Sequence, residues 1–208
     1  MISAPKGSAP SCLTTLAATP GADWDSVYGD QKQSMRDALV RDQGSLCAYC
    51  QRRVKATEAD MRIDHWHPRE RGGGVFQWNN LVGSCADRVT CDAAKQETRL
   101  FLHPARGLGP DPRQFLRYTG SGEVVADDER ARADTRTLGL NDDRLVRARR
   151  AVLDALRGWI ARRERSTAEL QRQIVLLESP AGEAPEYAAT RAYYFRKWSR
   201  ARGAAVER

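Results

Sequence analysis

Four of the chain's five cysteines and two of its three histidines lie between Cys47 and Cys91. No other feature restricts the fold as strongly. Cys47-Ala-Tyr-Cys50 has the spacing by which two thiolates grip one ion from a tight turn, and Cys85 and Cys91 supply a second pair. Four thiolates at tetrahedral corners make the closed, structural kind of zinc site. Such a site contributes roughly 10 kcal/mol or more of folding free energy. The second pair has a five-residue gap instead of two, so four buried reduced cysteines stand as the other reading. Cys12 lies outside the cluster and reads as an ordinary free thiol.

The compartment bears on that choice. "MISAPKGSAPSC" has no long apolar run, and "CLTTLAATP" is too short and too polar to span a membrane. The expectation is a cytoplasmic protein, with no membrane contact, whose thiols stay reduced. Clustered cysteines there point to metal before disulfide. A length of 208 residues suits one domain with appendages. Lys plus Arg number 34 against 27 for Asp plus Glu, a net charge of +7 that favours an anionic partner such as nucleic acid.

Along the chain, residues 1–22 are rich in Ser, Ala, Pro and Gly and read as a flexible N-terminal arm. From Asp30 to Gln43 the pattern is helical, with Met35 and Leu39 one turn apart and Gly44 as the stop. "MRIDHWH" is a strand candidate with Ile63, His65 and His67 on one face, "RGGG" a flexible turn, and "VFQW" the returning strand. "CDAAKQETRLFL" reads as a helix. The order strand, turn, strand, helix makes a small ββα unit. From His103 to Asp128 a loop with a short hairpin is expected. A long helix then begins at an Asn141 cap, with Leu140 and Leu145 as a hydrophobic staple. Its apolar stripe is Leu145, Val152, Leu156, Trp159 and Ile160, with Arg149 on another face. "STAELQRQIVLLE" continues as helix, "SPAGEAP" interrupts it, and "RAYYFRKWSRAR" closes the chain with Tyr194 and Trp198 packed on a helix face. The expected class is α+β, mostly helical. Residues 23–104 form a helix, zinc knuckle and ββα core, and residues 105–208 form a helical region for partner or nucleic-acid contacts.

Asp64-His65 at a strand end, Asn80 in "WNNL", and Asp92 directly after Cys91 resemble the HNH, or ββα-metal, endonuclease superfamily. "CAYC", "IDHWHPR", "WNNLVGSC" and "C-x-x-x-K" in this order are similar to the HNH nuclease component of Septu-type and retron-associated antiphage systems. The resemblance implies a DNA endonuclease, acting on double-stranded DNA, with an ABC-type ATPase as partner. The specific motifs cover about 50 residues.

Cleaving a phosphodiester needs an activated water, neutralised phosphate charge and a stabilised leaving oxygen. A divalent ion supplies the last two. Histidine titrates near neutral pH and can take the proton from water. These requirements make His65 the expected general base, with Asn80 bracing the loop that aims it. Asp64 and Asp92 are the expected ligands of a catalytic Mg2+ or Mn2+, hard ions that suit carboxylates. On a regular strand Asp64 and His65 point to opposite faces, so the strand must bend or end there. Arg69 and Lys95 are candidates for phosphate contact. The alternatives are a non-catalytic zinc-ribbon-like module that binds DNA or protein, and a stand-alone restriction or toxin nuclease.

Overall fold

Met35 and Leu39, one turn apart and fully buried, anchor helix α2 (Gly29–Asp42) against the hairpin that carries the site. Gly44 and Ser45 follow at positive φ and turn the chain sharply into Cys47. The computed structural model describes residues 1–179 and 182–206, with side chains described to Arg202. Pro180 and Ala181 of the "SPAGEAP" interruption, and the last two residues of the expected 105–208 region, lie outside the described residues.

The fold is α+β and largely helical, with two two-stranded antiparallel sheets among the described residues. Strand β1 (Met61–His65) pairs with β2 (Leu81–Cys85) in the register Met61 with Cys85 through His65 with Leu81. The returning strand is therefore LVGSC and not VFQW. Residues 78–80 form a 3-10 turn instead. Every residue of β2 is buried: Cys85 faces the cysteine cluster, and Gly83 is covered by the Gln43 side chain, which bonds both its N–H and its carbonyl. A strand buried on both faces carries no alternation, which is why its pattern was not readable.

The helix expected after Cys91 is only one turn long, α3 (Asp92–Lys95). Gln96 at φ 47° ends it. Helix α4 (Pro112–Phe115) and a second hairpin, β3 (Leu116–Tyr118) with β4 (Val124–Ala126), follow. Then come α5 (Glu129–Thr137), α6 (Asp143–Ala161), α7 (Thr167–Glu178) and α8 (Ala188–Val206). Asp142, not Asn141, caps α6 by accepting the Arg144 N–H. Asn141 instead exchanges both amide bonds with the Val124 backbone and ties β4 to the helix start. Leu145, Leu153 and Leu156 are the buried stripe, with Val152, Trp159 and Ile160 partly buried beside them. Arg149, expected outside this face, is 2% exposed and donates to the Gly122 and Leu140 carbonyls. Tyr194 and Phe195 of α8 are buried, with the Tyr194 and Trp198 rings 5.7 Å apart.

The N-terminal residues do not form a loose arm. Met1 and Ile2 are buried, the Ile2 N–H bonds the Ala48 carbonyl at 3.1 Å, and Ala4 bridges to Ala105. Lys6 donates to the Leu81 carbonyl and lies over Trp78, whose indole N–H bonds Gly7. Residues 11–18 form helix α1, with Leu13 and Leu16 buried. Backbone pairing and a few apolar side chains hold this segment where its composition suggested freedom. No helix among the described residues is long and apolar enough to cross a membrane.

Candidate active cleft and cysteine cluster

The knuckle is closed by its own backbone: Gln51 N–H bonds the Cys47 carbonyl and Cys47 N–H bonds the Arg52 carbonyl. This brings Cys47 and Cys50 to Cys85 at the end of β2 and to Cys91, the N-cap of α3. The four sulfurs lie within 4.8 Å of one another, all buried, and none forms a disulfide. A tetrahedron of Zn–S bonds near 2.3 Å has sulfur–sulfur edges of about 3.8 Å. The Cys47–Cys91 and Cys50–Cys85 separations are 3.8 and 3.7 Å. The donor set thus fits a tetrahedral thiolate-bound ion. The Cys85 N–H points at the Cys47 sulfur and the Arg52 guanidinium at the Cys85 sulfur, bonds that orient and stabilise thiolates. Hydrogen bonds from the neighbouring cluster thiols, and a further one from Arg52, hold Cys85 well below the ordinary thiol range.

Beside the cluster opens a cleft of about 440 Å³, lined by Asp64, His65, Arg69, Asp92 and Lys95 together with Trp24 and Arg62. Five of the residues singled out in the sequence therefore converge. Asp64 and His65 reach one cleft because β1 ends at His65. The His65 ring meets Trp24 edge-on at 4.5 Å, and its Nε2 lies 2.9 Å from the Val75 carbonyl. A carbonyl accepts only, so Nε2 carries the proton and Nδ1 keeps the lone pair. Burial holds the imidazole down at about 4, against the Val75 bond, so the ring is neutral at physiological pH.

Asn80 is buried behind the cleft. Its Oδ1 accepts the His67 N–H at 2.7 Å, and its Nδ2 donates to the His67 and Gly74 carbonyls at 2.9 and 3.2 Å. It braces both ends of the loop that carries Val75 and hence the His65 ring. His67 meets this brace through its backbone and is not among the cleft-lining residues.

Two expectations change. Lys95 is not a surface contact for phosphate: it is 1% exposed, and its ammonium donates to Asp64 Oδ1 at 3.1 Å and to the His65 carbonyl at 2.8 Å. A buried carboxylate needs a partner, and the lysine one turn beyond Cys91 supplies it. Asp64 is also not an open metal ligand. Its second oxygen accepts the Tyr49 hydroxyl at 2.5 Å, while Asp92 pairs with Arg62 at 3.5 Å. As arranged, Asp64 and Asp92 do not fit a divalent ion held between them. Among the described residues the cysteine cluster alone brings three or more Cys, His, Asp or Glu donors close enough together for a metal. Burial pushes the Asp64 carboxyl up to about 7, against the pull of Lys95.

Tyr49, Arg62, Trp24 and the Val75 carbonyl escaped the reading of the sequence. Tyr49 had one visible signal, an aromatic residue between two cysteines of a knuckle, but nothing local tied it to a residue fifteen positions away.

No protein-family model matches the chain. Over 81 residues it is 30% identical to the "Retron Vc95 putative HNH endonuclease" of Vibrio cholerae serotype O1 biovar El Tor, a stretch covering 35% of this chain and 38% of that protein. The chain thus spans about two fifths of the length of this relative. The likeness supports the HNH superfamily, and nuclease activity at the level of the family only.

Proposed function

We propose that the chain is an HNH endonuclease that hydrolyses DNA phosphodiester bonds, with its ββα-metal unit formed by β1, β2 and α3. The observation that carries this reading is the neutral His65 imidazole, fixed through Nε2 on Val75 and sharing one cleft with Asp64, Arg69, Asp92 and Lys95. His65 takes a proton from water through Nδ1 as the water oxygen bonds to phosphorus. The ester P–O bond breaks, its electron pair stays on the leaving oxygen, and that oxygen takes a proton from solvent to become the free hydroxyl. Arg69 meets the phosphate charge, and Asn80 acts through the loop it braces. The cysteine cluster holds a structural zinc, which supplies rigidity to the cleft wall and no reaction step.

Mg2+ or Mn2+ would reach the carboxylates only if Lys95 left Asp64. A DNA substrate is supported by the motif resemblance and by the endonuclease name of the relative. A role as nuclease effector of an antiphage system, acting in the cytoplasm with an ABC-type ATPase, is supported by the motif resemblance alone. Residues 23–104 form the catalytic part in this reading, and residues 105–208 serve contacts to partner or nucleic acid.

The test is cleavage of supercoiled plasmid with and without Mg2+ or Mn2+, comparing wild type with His65→Ala. Loss of the general base is expected to lower the rate about a hundredfold or more. Equal cleavage by both proteins defeats the reading. The satisfied oxygens of Asp64 favour a second reading, a zinc-ribbon-like module that binds without cutting. DNA binding by wild type with no cleavage under any divalent ion, and in the presence of a co-purified ATPase, selects it.

A further inference from the structure

Both oxygens of Asp64 are gripped from the cysteine cluster. Tyr49 sits between Cys47 and Cys50, has no exposed surface, and gives its hydroxyl to Oδ2 at 2.5 Å. Lys95 stands one helical turn after Cys91, with its backbone N–H on the Cys91 carbonyl, and gives its ammonium to Oδ1 at 3.1 Å. The same ammonium holds the His65 carbonyl at 2.8 Å. The knuckle is closed by bonds from Gln51 to Cys47 and from Cys47 to Arg52, so Tyr49 cannot shift without moving the two thiolates beside it. Likewise Lys95 is rigidly spaced from Cys91 by a single turn. The span between hydroxyl and ammonium is therefore set by how far Cys47 and Cys50 stand from Cys91. One ion bound by all four thiolates fixes that distance.

We propose that Tyr49 and Lys95 form a pincer through which the ion-loaded cysteine cluster positions Asp64 and the backbone of His65. Tyr49 is a positioning residue, since it is fully buried and does not line the cleft. The catalytic consequence rests on the hydrolase reading, whereas the mechanical link between cluster and cleft does not. Coupling is reciprocal, so loosening the carboxylate also loosens the cluster.

The experiment uses the zinc-loaded full chain and four variants: Tyr49→Phe, Asp64→Asn, the double variant, and Arg69→Ala, which alters the cleft without touching the pincer. The first readout is the rate at which a chelator withdraws zinc. Tyr49→Phe is expected to speed release by about fivefold, the effect of one net hydrogen bond, and Asp64→Asn by at least as much, since it also takes the counter-charge from the buried Lys95 ammonium. The double variant is expected to be no faster than the quicker single one, and Arg69→Ala to release zinc at the wild-type rate. The second readout is cleavage. Tyr49→Phe keeps the ring that fills the core, so a purely structural role predicts no change. The pincer predicts kcat lowered roughly tenfold to a hundredfold with the KM for DNA unchanged, the effect of misplacing a reacting group. Zinc release from Asp64→Asn at the wild-type rate, or single effects that multiply independently, overturns the proposal. If wild type cuts no DNA under any divalent ion and in the presence of a co-purified ATPase, the hydrolase reading falls and the release kinetics alone decide the link. If Tyr49→Phe does not fold, Asp64→Asn against Arg69→Ala makes the same comparison.

Discussion

The His65 ring has the Trp24 edge on its face, a carbonyl on Nε2, and a cationic neighbourhood of Arg69 and Lys95 that opposes a second positive charge. Its pKa falls from 6.5 to about 4, mainly through burial. Because the folded value lies below the unfolded one, the neutral ring contributes stability in full above about pH 6.5. That contribution is lost as pH falls through about 4. Asp64 acts oppositely: its raised value makes ionisation cost stability as pH climbs from 3.8 through about 7. NMR titration is expected to find the His65 ring changing charge near 4, with His103→Gln used to remove the other ring that burial lowers to about 4. The acid limb of cleavage should then lie well below that of an ordinary imidazole. A His65 titration near 6.5 contradicts the buried geometry.

At the scale of elements, the connection between β1 and β2 is a built loop and not a flexible turn. Gly73 N–H bonds the Pro68 carbonyl at 3.0 Å, and a Cβ at Gly73 would lie 1.9 Å from the His67 carbonyl oxygen. Gly72 has φ 85° but open space around it. Gly73→Ala is therefore expected to cost about 2 kcal/mol or more by overpacking backbone on backbone. Gly72→Ala should cost only about 1 kcal/mol, from its left-handed conformation. Urea unfolding midpoints measure the difference, and cleavage by Gly73→Ala should fall as well, since the same loop carries Val75. The reverse order of midpoints refutes the close approach. The composition of "RGGG" suggested freedom, yet the three glycines let the loop fold back on the strand end that it follows.

For the molecule as a whole, the cysteine cluster joins the turn after α2, the end of β2 and the start of α3. Binding energy of roughly 10 kcal/mol or more for such an ion is comparable with the entire stability of a typical domain, about 5–15 kcal/mol. Cys47→Ser, or prolonged chelation, is expected to remove about one zinc per chain and to abolish the cooperative thermal transition. Elemental analysis alongside circular dichroism melting checks this. Protein that is free of metal and melts as the wild type does would falsify a structural ion. The N-terminal residues add to the same region, since Ile2 pairs with Ala48 of the knuckle and Lys6 with the end of the hairpin.

Local pattern alone determined a good part of this protein. Helix α2 was readable from Met35 and Leu39, strand β1 from its alternation, the hairpin β3–β4 from its flanking glycines and prolines, and the cysteine cluster from rare residues in pairs. These signals lie within a few positions of one another, where periodicity and spacing act. Tertiary structure alone decided which charges meet. The Asp64 oxygens going to Tyr49 and Lys95, the burial of Arg149 against Gly122, and the threading of residues 1–7 across the knuckle and hairpin all join residues far apart in the chain. A buried polar group must find a partner, but its own neighbours in sequence do not say which one, because that depends on what the rest of the fold brings within hydrogen-bond reach.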